Sequence, residues 1–395
     1  MATTALILSI VLPAFLIGQA ITALILKKSY RKKTRPANFT PKCSIFIPCK
    51  GLPSDFEANI EQFFKLSYPD YDLYFAVESE TDKAVAVIRD KIAKHQKGTI
   101  IVSERTTSCG QKNLNLVRAV ESSDQSANGD YPHILVFADS DVAPEANWLD
   151  AMISPFQSDN ITATTGFRWL FPRKGEKGGL VHCFQNYILF VLFVFAAKVF
   201  NSGLWGGSMA IRKKDYDDLG VRERWLETSV DDLSLSEILV KQKKKIHFSL
   251  DAIIDTDDTI NDYSKAGKWY LRQVQYLKYH AKPLWISAFL MSLAALLMYV
   301  AVALIVAFSG TAASTAAEYL LVPVFFLGGI YLFSAMFALF GKHNRIFQFV
   351  LVSPISLFNV CVCVIKTAFE DKIDWSGYRY FMNFKDGKVK KVETI

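Results

Sequence analysis

Asp139-Ser140-Asp141 closes an apolar run, Ile134-Leu135-Val136-Phe137-Ala138. In an extended chain residues i and i+2 point the same way. Two carboxylates therefore converge at the carboxyl end of a strand, where α/β folds bind ligands. Paired carboxylate oxygens suit Mg2+ or Mn2+ bridged to a diphosphate, and a metal there would stabilise charge on a departing diphosphate. Val77-Glu78-Ser79-Glu80-Thr81-Asp82 follows a second apolar run. Glu78 or Glu80 suits a nucleoside or its ribose, and the same acids equally suit the dipole of a helix N-terminus. Cys109-Gly110-Gln111-Lys112-Asn113 opens a helix. Its Gly and Lys fit a phosphate or a donor sugar, or an ordinary helix entry. Asp231-Asp232, within Thr228 to Ser234, offers a general base for a hydroxyl, or acidic residues at a helix start. Gly203, Gly206 and Gly207 let backbone approach an acceptor, or form a flexible turn.

The intervening sequence alternates strands and helices. Cys43 to Pro48, Tyr71 to Val77, Thr99 to Val102 and His133 to Ala138 read as strands. Asp55 to Leu66, Lys83 to His95 and Lys112 to Val120 read as helices, the first with Phe56, Ile60, Phe63 and Phe64 at helical spacing. Repeated β-α-β-α predicts an α/β domain with a mostly parallel sheet.

The chain has 395 residues, 51% of them hydrophobic, and the excess lies in blocks. Ala5 to Leu26 is uncharged and long enough to span a bilayer. Seven Lys/Arg and no Asp/Glu follow between Lys27 and Lys42, which predicts an uncleaved anchor with the chain continuing in the cytosol. That placement reads the net charge of +7 as membrane flanking and excludes nucleic acid as its reason. Pro283 to Ala317, Tyr319 to Gly341 and Ile346 to Ile365 are uncharged, giving two clear spans and a third apolar run. A basic tail, Lys366 to Lys391, favours the cytosol. Three full crossings would leave it outside, so Ile346 to Ile365, which contains Pro354, is expected to be broken or to lie at the interface. Leu180 to Ala197 is uncharged over 18 residues. Spanning there would part Asp139 and Asp141 from Asp231 and Asp232. It is expected to lie at the membrane surface and admit a lipid tail, or to be a buried core helix. The six cysteines form no CxxC pair and fit free thiols in a reducing compartment.

Taken in order, these strings resemble the ceramide glucosyltransferase family. The likeness runs from about Lys42 to Tyr380. It takes in Lys50-Gly51-Leu52, Glu61 to Pro69, Glu78 to Asp82, the Lys112 to Leu116 helix entry, Asp139-Ser140-Asp141, Gly206 to Lys213, Asp231-Asp232 and Trp375-Ser376-Gly377-Tyr378-Arg379-Tyr380. The resemblance implies a GT-A glycosyltransferase domain and an inverting transfer of glucose from UDP-glucose to a membrane lipid, above all ceramide. It makes Asp139 and Asp141 the metal and diphosphate site, Asp232 the general base, and Asp231 its acidic neighbour. Glu78, or Glu80, takes the nucleoside, with Lys112 also on the donor side and Gly206 and Gly207 on the acceptor side. Mg2+ or Mn2+ is the expected cofactor.

The chain departs from the family at Arg272-Gln273-Val274-Gln275-Tyr276, where inverting synthases carry Gln/Arg-x-x-Arg-Trp. A neutral Gln275 lacks a charge-assisted bond to diphosphate, leaving Arg272 as the cation and Tyr276 in the tryptophan's place. The other departure is Glu78-Ser79, where relatives carry Asp. Other sugars such as N-acetylglucosamine, other lipids such as a hopanoid or diacylglycerol, polysaccharide synthesis, and a non-catalytic membrane protein on a decayed fold are the competing readings. The expected partition is an anchor over 1–27, a basic linker over 28–41, a cytosolic domain over 42–282, and membrane helices with a cytosolic tail over 283–395. The whole is an integral, multi-pass membrane protein.

Overall fold

The computed structural model describes residues 39–126, 134–171, 179–194, 203–257, 262–308 and 346–395, with a few single positions besides. The anchor, most of the basic linker and the run 319–341 lie outside the described residues. The chain forms two compact units that interleave in sequence. One comprises Tyr30–Arg173, Val199–Thr259 and Asp371–Ile395, and the other Met1–Ser29, Lys174–Lys198 and Ile260–Glu370.

The first unit is built on a seven-stranded sheet. Its strands are β1 (Cys43–Pro48), β2 (Tyr71–Val77), β3 (Thr99–Val102), β4 (Ile134–Ala138), β5 (Ile161–Phe171), β6 (Ser208–Arg212) and β7 (Lys245–Asp257), in the order β3-β2-β1-β4-β6-β5-β7. All neighbours pair in parallel except around β6, which runs against both β4 and β5. The mostly parallel sheet expected from β-α-β alternation is present.

Side-chain alternation explains why β1 and β4 carry apolar residues on both faces. Cys43, Ile45 and Ile47 of β1 and Ile134, Val136 and Ala138 of β4 join one core cluster. Phe46, Leu135 and Phe137, on the opposite face, join a second. The first cluster is roofed by helices α1 (Phe56–Phe63), α2 (Lys83–His95) and α4 (Trp148–Ile153), through Phe56, Ile60, Phe63, Ile88 and Trp148. The second is roofed by α3 (Gln111–Ser126), α7 (Val221–Trp225) and α8 (Asp232–Lys241), through Leu116, Val120, Trp225 and Leu235. Each such aromatic or aliphatic side chain removed from water contributes about 1.5–3 kcal/mol. A short helix, α6 (Lys213–Asp218), follows β6 and buries Tyr216.

The tail adds a second sheet to this unit. Strands β8 (Lys372–Trp375), β9 (Tyr378–Met382) and β10 (Val389–Thr394) pair antiparallel in the order β10-β9-β8. A two-residue turn, Ser376-Gly377, joins β8 to β9, with φ of 54° and 84°. Both values are left-handed, as a tight hairpin turn of the I′ kind requires.

The other unit is helical: α5 (Leu180–Val194), α9 (Tyr263–His280), α10 (Lys282–Phe308) and α11 (Ile346–Thr367). α5 packs on α9 and α11 and buries Cys183, Phe184, Tyr187 and Ile188, as a core helix would. Lys282–Ala301 and Phe347–Thr367 are each apolar and long enough to cross a membrane. The expected break in the last run is absent: α11 continues through Pro354. Proline has no N–H for the carbonyl of Val350. The hydroxyl of Ser353 donates to that carbonyl instead, at 2.9 Å, and Tyr299 donates to Pro354's own carbonyl at 2.6 Å.

Candidate active site

The reversed strand β6 decides where the candidate residues meet. Ala138, the last residue of β4, pairs with Ser208, the first of β6. The edge where the chain leaves β4 into Asp139 is therefore the edge where it enters β6 from Gly206-Gly207. The start of α3 supplies Lys112 and the start of α8 supplies the acidic pair. The Lys112 Nζ lies 2.7 Å from Asp139 Oδ1 and 3.0 Å from Asp231 Oδ2. Asp232 Oδ2 accepts from the Gly206 N–H at 2.9 Å, and its other oxygen accepts from Leu233 N–H at 2.6 Å.

Electrostatics separate Asp139 from Asp232. Burial alone would discharge Lys112, but Asp139, Asp231 and Asp232 outweigh it and hold the ammonium charged. Burial pushes Asp139 up, and Lys112 with Arg168 reverses that, so Asp139 stays below the usual carboxylate range. Asp232 behaves oppositely. Burial first, and then the charge of Asp231, push it up to about 7. A carboxylate whose proton affinity sits near neutrality is matched to taking a proton from a hydroxyl.

The glycines are spacing devices. A Cβ on Gly206 would lie 2.6 Å from Asp231 Oδ2 and 2.9 Å from Lys112 Nζ, so a side chain there would have to displace that ion pair. A Cβ on Gly207 would strike the Trp205 ring at 2.1 Å. The loop before the acidic pair is tied to α3. Gly110 N–H donates to Thr228 O at 2.8 Å, and the Asn113 amide donates to Trp225 O at 3.1 Å and Thr228 O at 3.0 Å. The Trp225 indole N–H donates to Asp231 O at 3.0 Å. Thus Gly110-Gln111-Lys112-Asn113 is a fastening for the Asp231-Asp232 loop.

Asp141 lies apart from Lys112. Its Oδ2 meets Arg168 at 3.2 Å, and that guanidinium stands 5.3 Å over the ring of Trp205. Asp141 Oδ1 is buried with no hydrogen-bond donor among the described residues, an acceptor that fits a cation. Among the described residues no group of three His, Cys, Asp or Glu side chains is placed to hold a metal. Asp139 and Asp141 would therefore share a divalent ion with oxygens that a substrate brings.

The segment after β2 divides its acids. Asp82 caps α2, accepting from Ala84 N–H at 2.8 Å, and also accepts from Gly51 N–H at 2.9 Å. The helix-dipole role falls to Asp82. Glu80 is exposed. Glu78 instead accepts from the Tyr378 hydroxyl at 2.6 Å and faces Lys50 at 3.5 Å. Arg272, Gln275 and Tyr276 lie on α9, in the helical unit. There the Gln275 amide donates to Glu370 Oε2 at 2.7 Å, a partner that an amide suits.

A family profile described as glycosyl transferase family 21 matches residues 10–388. The chain belongs to that family. By that profile the chain is a member of the ceramide glucosyltransferase family. It is 21% identical over 245 residues to ceramide glucosyltransferase 1 of Caenorhabditis elegans, a match that takes in 60% of this chain and 51% of that protein. The chain thus spans about half the length of the curated relative it matches. Among solved structures it is similar to a mannosyltransferase, PcManGT from Pyrobaculum calidifontis, in complex with GDP-Man and Mn2+. The TM-score is 0.58 at 16% identity, covering 93% of this chain and 97% of that one. At that identity the likeness shows the fold, and the chain has a GT-A-like fold.

Several residues that shape the candidate site carry no mark in the sequence. Arg168 sits in mid-strand between two aromatic residues. It reaches Asp141 just after a register shift between Thr165 and Phe167 in the pairing of β5 with β7. Asn113 and Trp225 act through backbone carbonyls. A glycine-lysine-asparagine helix entry followed by a distant acidic pair was the one available signal.

Proposed function

We propose that this glycosyltransferase inverts the anomeric carbon of UDP-glucose and delivers glucose to a primary hydroxyl of a membrane lipid, with ceramide as the favoured acceptor. Family membership and the ceramide glucosyltransferase relative support the substrate class. The observation that carries the mechanism is the Lys112 bridge, which draws Asp139 and Asp231 to one ammonium beside Asp232.

In this reading the acceptor hydroxyl gives its proton to Asp232 as its oxygen attacks the anomeric carbon. The bond from that carbon to the diphosphate oxygen breaks on the opposite face, and UDP leaves with the electron pair. Lys112 keeps the surrounding carboxylates from repelling the diphosphate. Asp231, buried behind it, holds the ammonium in place. Gly206 donates its N–H to Asp232 and orients the base. A divalent ion, Mg2+ or Mn2+, held by Asp139 and Asp141 would supply positive charge to the leaving diphosphate. Glu78 accepts from the nucleoside. The two long apolar helices serve a lipid acceptor, in a multi-pass protein whose carboxylates face the cytosol.

Transfer of radiolabelled sugar tests the reading. UDP-glucose, UDP-galactose, UDP-N-acetylglucosamine and GDP-mannose are offered with ceramide, diacylglycerol or hopanoid in detergent, with Mg2+ or Mn2+. Glucosylceramide as the main product is the expected result. A different glycolipid moves the substrate and keeps the chemistry, whereas a polymer or no transfer overturns the proposal.

A further inference from the structure

The hairpin that closes the second sheet stands against the ligand edge of the first. Its own apolar residues already attach it, since Ile373, Tyr380 and Met382 are buried. Its polar contacts are a separate set, and they converge on residues singled out for the donor. The Tyr378 hydroxyl donates to Glu78 Oε1 at 2.6 Å. The carbonyl of Ser376, in the left-handed turn, accepts from Lys50 Nζ at 2.7 Å. The Tyr380 hydroxyl accepts from Gln111 N–H at 3.2 Å, one residue before Lys112. Lys50 and Arg105 flank the Tyr378 ring, at 4.8 and 5.7 Å from its centroid.

This arrangement leaves Glu78 half satisfied. A carboxylate offers about four acceptor positions. Tyr378 takes one firmly, Lys50 stands at a long 3.5 Å, and the side chain remains 23% exposed. Tyr378 itself is held as a donor, because burial and then the Glu78 charge push its phenol up. A non-glycine residue in a left-handed turn is strained, and at Ser376, with φ of 54°, that conformation aims the carbonyl at Lys50.

We propose that the turn Trp375–Tyr380 forms a wall of the nucleoside subsite, with Tyr378 as a positioning residue that aims the Glu78 carboxylate at a nucleoside diphosphate. The free lone pairs of Glu78 accept from the ribose diol or a base N–H. Lys50 and Arg105 form a cationic rim for an anionic ligand. The inference rests on the reading of Glu78 as the nucleoside acceptor, and it gives the Trp375–Tyr380 motif a purpose.

The test uses the full chain purified in detergent, with UDP as probe and GDP for comparison. Tyr378→Phe is expected to weaken UDP about 10-fold, the scale of a lost bond to a charged group. It should raise the donor KM while kcat and the acceptor KM stay unchanged. Glu78→Gln should weaken UDP as well, and the double variant should be no weaker than Glu78→Gln alone, since Tyr378 acts through Glu78. In the unaltered protein, UDP should slow hydrogen exchange at 376–382, a readout that does not depend on any variant folding. If Glu78→Gln binds UDP normally, the nucleoside reading of Glu78 fails and takes the wall with it. If Glu78→Gln weakens UDP but Tyr378→Phe does not, or UDP leaves exchange at 376–382 unchanged, the wall alone is overturned.

Discussion

Gly110 and Ser229 touch backbone to backbone: a Cβ on the glycine would lie 2.7 Å from the serine's carbonyl oxygen. The contact joins the start of α3 to the loop that carries Asp231 and Asp232. Gly110→Ala must push the two apart, because neither partner is a flexible side-chain end. The expected cost is about 1–3 kcal/mol of stability, the usual scale of overpacking. Sugar transfer should fall more steeply than the melting temperature suggests, since a displacement of about 1 Å misaligns a base. Melting curves and transfer rates on the same preparation check this.

Lys112→Met removes the ammonium between Asp139 and Asp231. Breaking a buried pair by deleting one partner costs about 3–5 kcal/mol. Adding Asp231→Asn should restore part of that stability without restoring transfer. Denaturant titration of the single and double variants provides the measurement, and a double variant no more stable than the single would show that Asp231 is not the partner left stranded.

Asp232 makes two predictions of opposite sign. Its value of about 7 lies above that of an unfolded aspartate, about 3.9. The folded chain therefore holds this proton more tightly than the unfolded chain does. Its contribution to stability is full below about pH 4 and is lost as the pH rises through 7. Asp232→Asn should be more stable than the parent at pH 8, with the gain shrinking toward pH 4. Transfer runs the other way. It needs the ionised form, so the rate should climb through pH 7, and Asp232→Asn should lower it by about 10²–10⁴ while UDP still binds.

In α10, Ala295 and Met298 are buried and Leu297 is 57% exposed. Ala295→Leu should cost about 1–3 kcal/mol by overpacking, and Leu297→Ala less than about 0.5 kcal/mol. Melting in detergent distinguishes them. Equal losses would mean that Leu297 also packs.

The sheet was legible where both faces are covered. Cys43–Pro48 and Tyr71–Val77 stand where their apolar runs end, because a buried parallel strand has no polar face to blur it. Asp139 and Asp141 were legible for the same reason, as the first polar residues after such a strand. Asp231-Asp232 drew its meaning from family likeness, since an acidic helix start is ordinary. Lys112 read as a ligand for phosphate, whereas its partners in the fold are carboxylates that no local pattern could supply. The unbroken course of α11 hid behind Pro354, whose breaking effect Ser353 and Tyr299 offset. The second sheet went unread because nine of the 23 residues from Lys372 to Thr394 are charged and interrupt its apolar positions. Its buried positions, such as Ile373 and Tyr380, alternate with charged or half-exposed ones.

Neither compact unit is a single stretch of chain; the boundary between them is crossed at 29/30, 173/174, 198/199, 259/260 and 370/371. A recombinant fragment ending ahead of residue 371 would retain all four carboxylates of the candidate site and lose the strand that holds Glu78. The sheet-bearing unit therefore cannot be cut from this gene with two primers. It needs the 371–395 segment spliced back on, with linkers replacing 174–198 and 260–370.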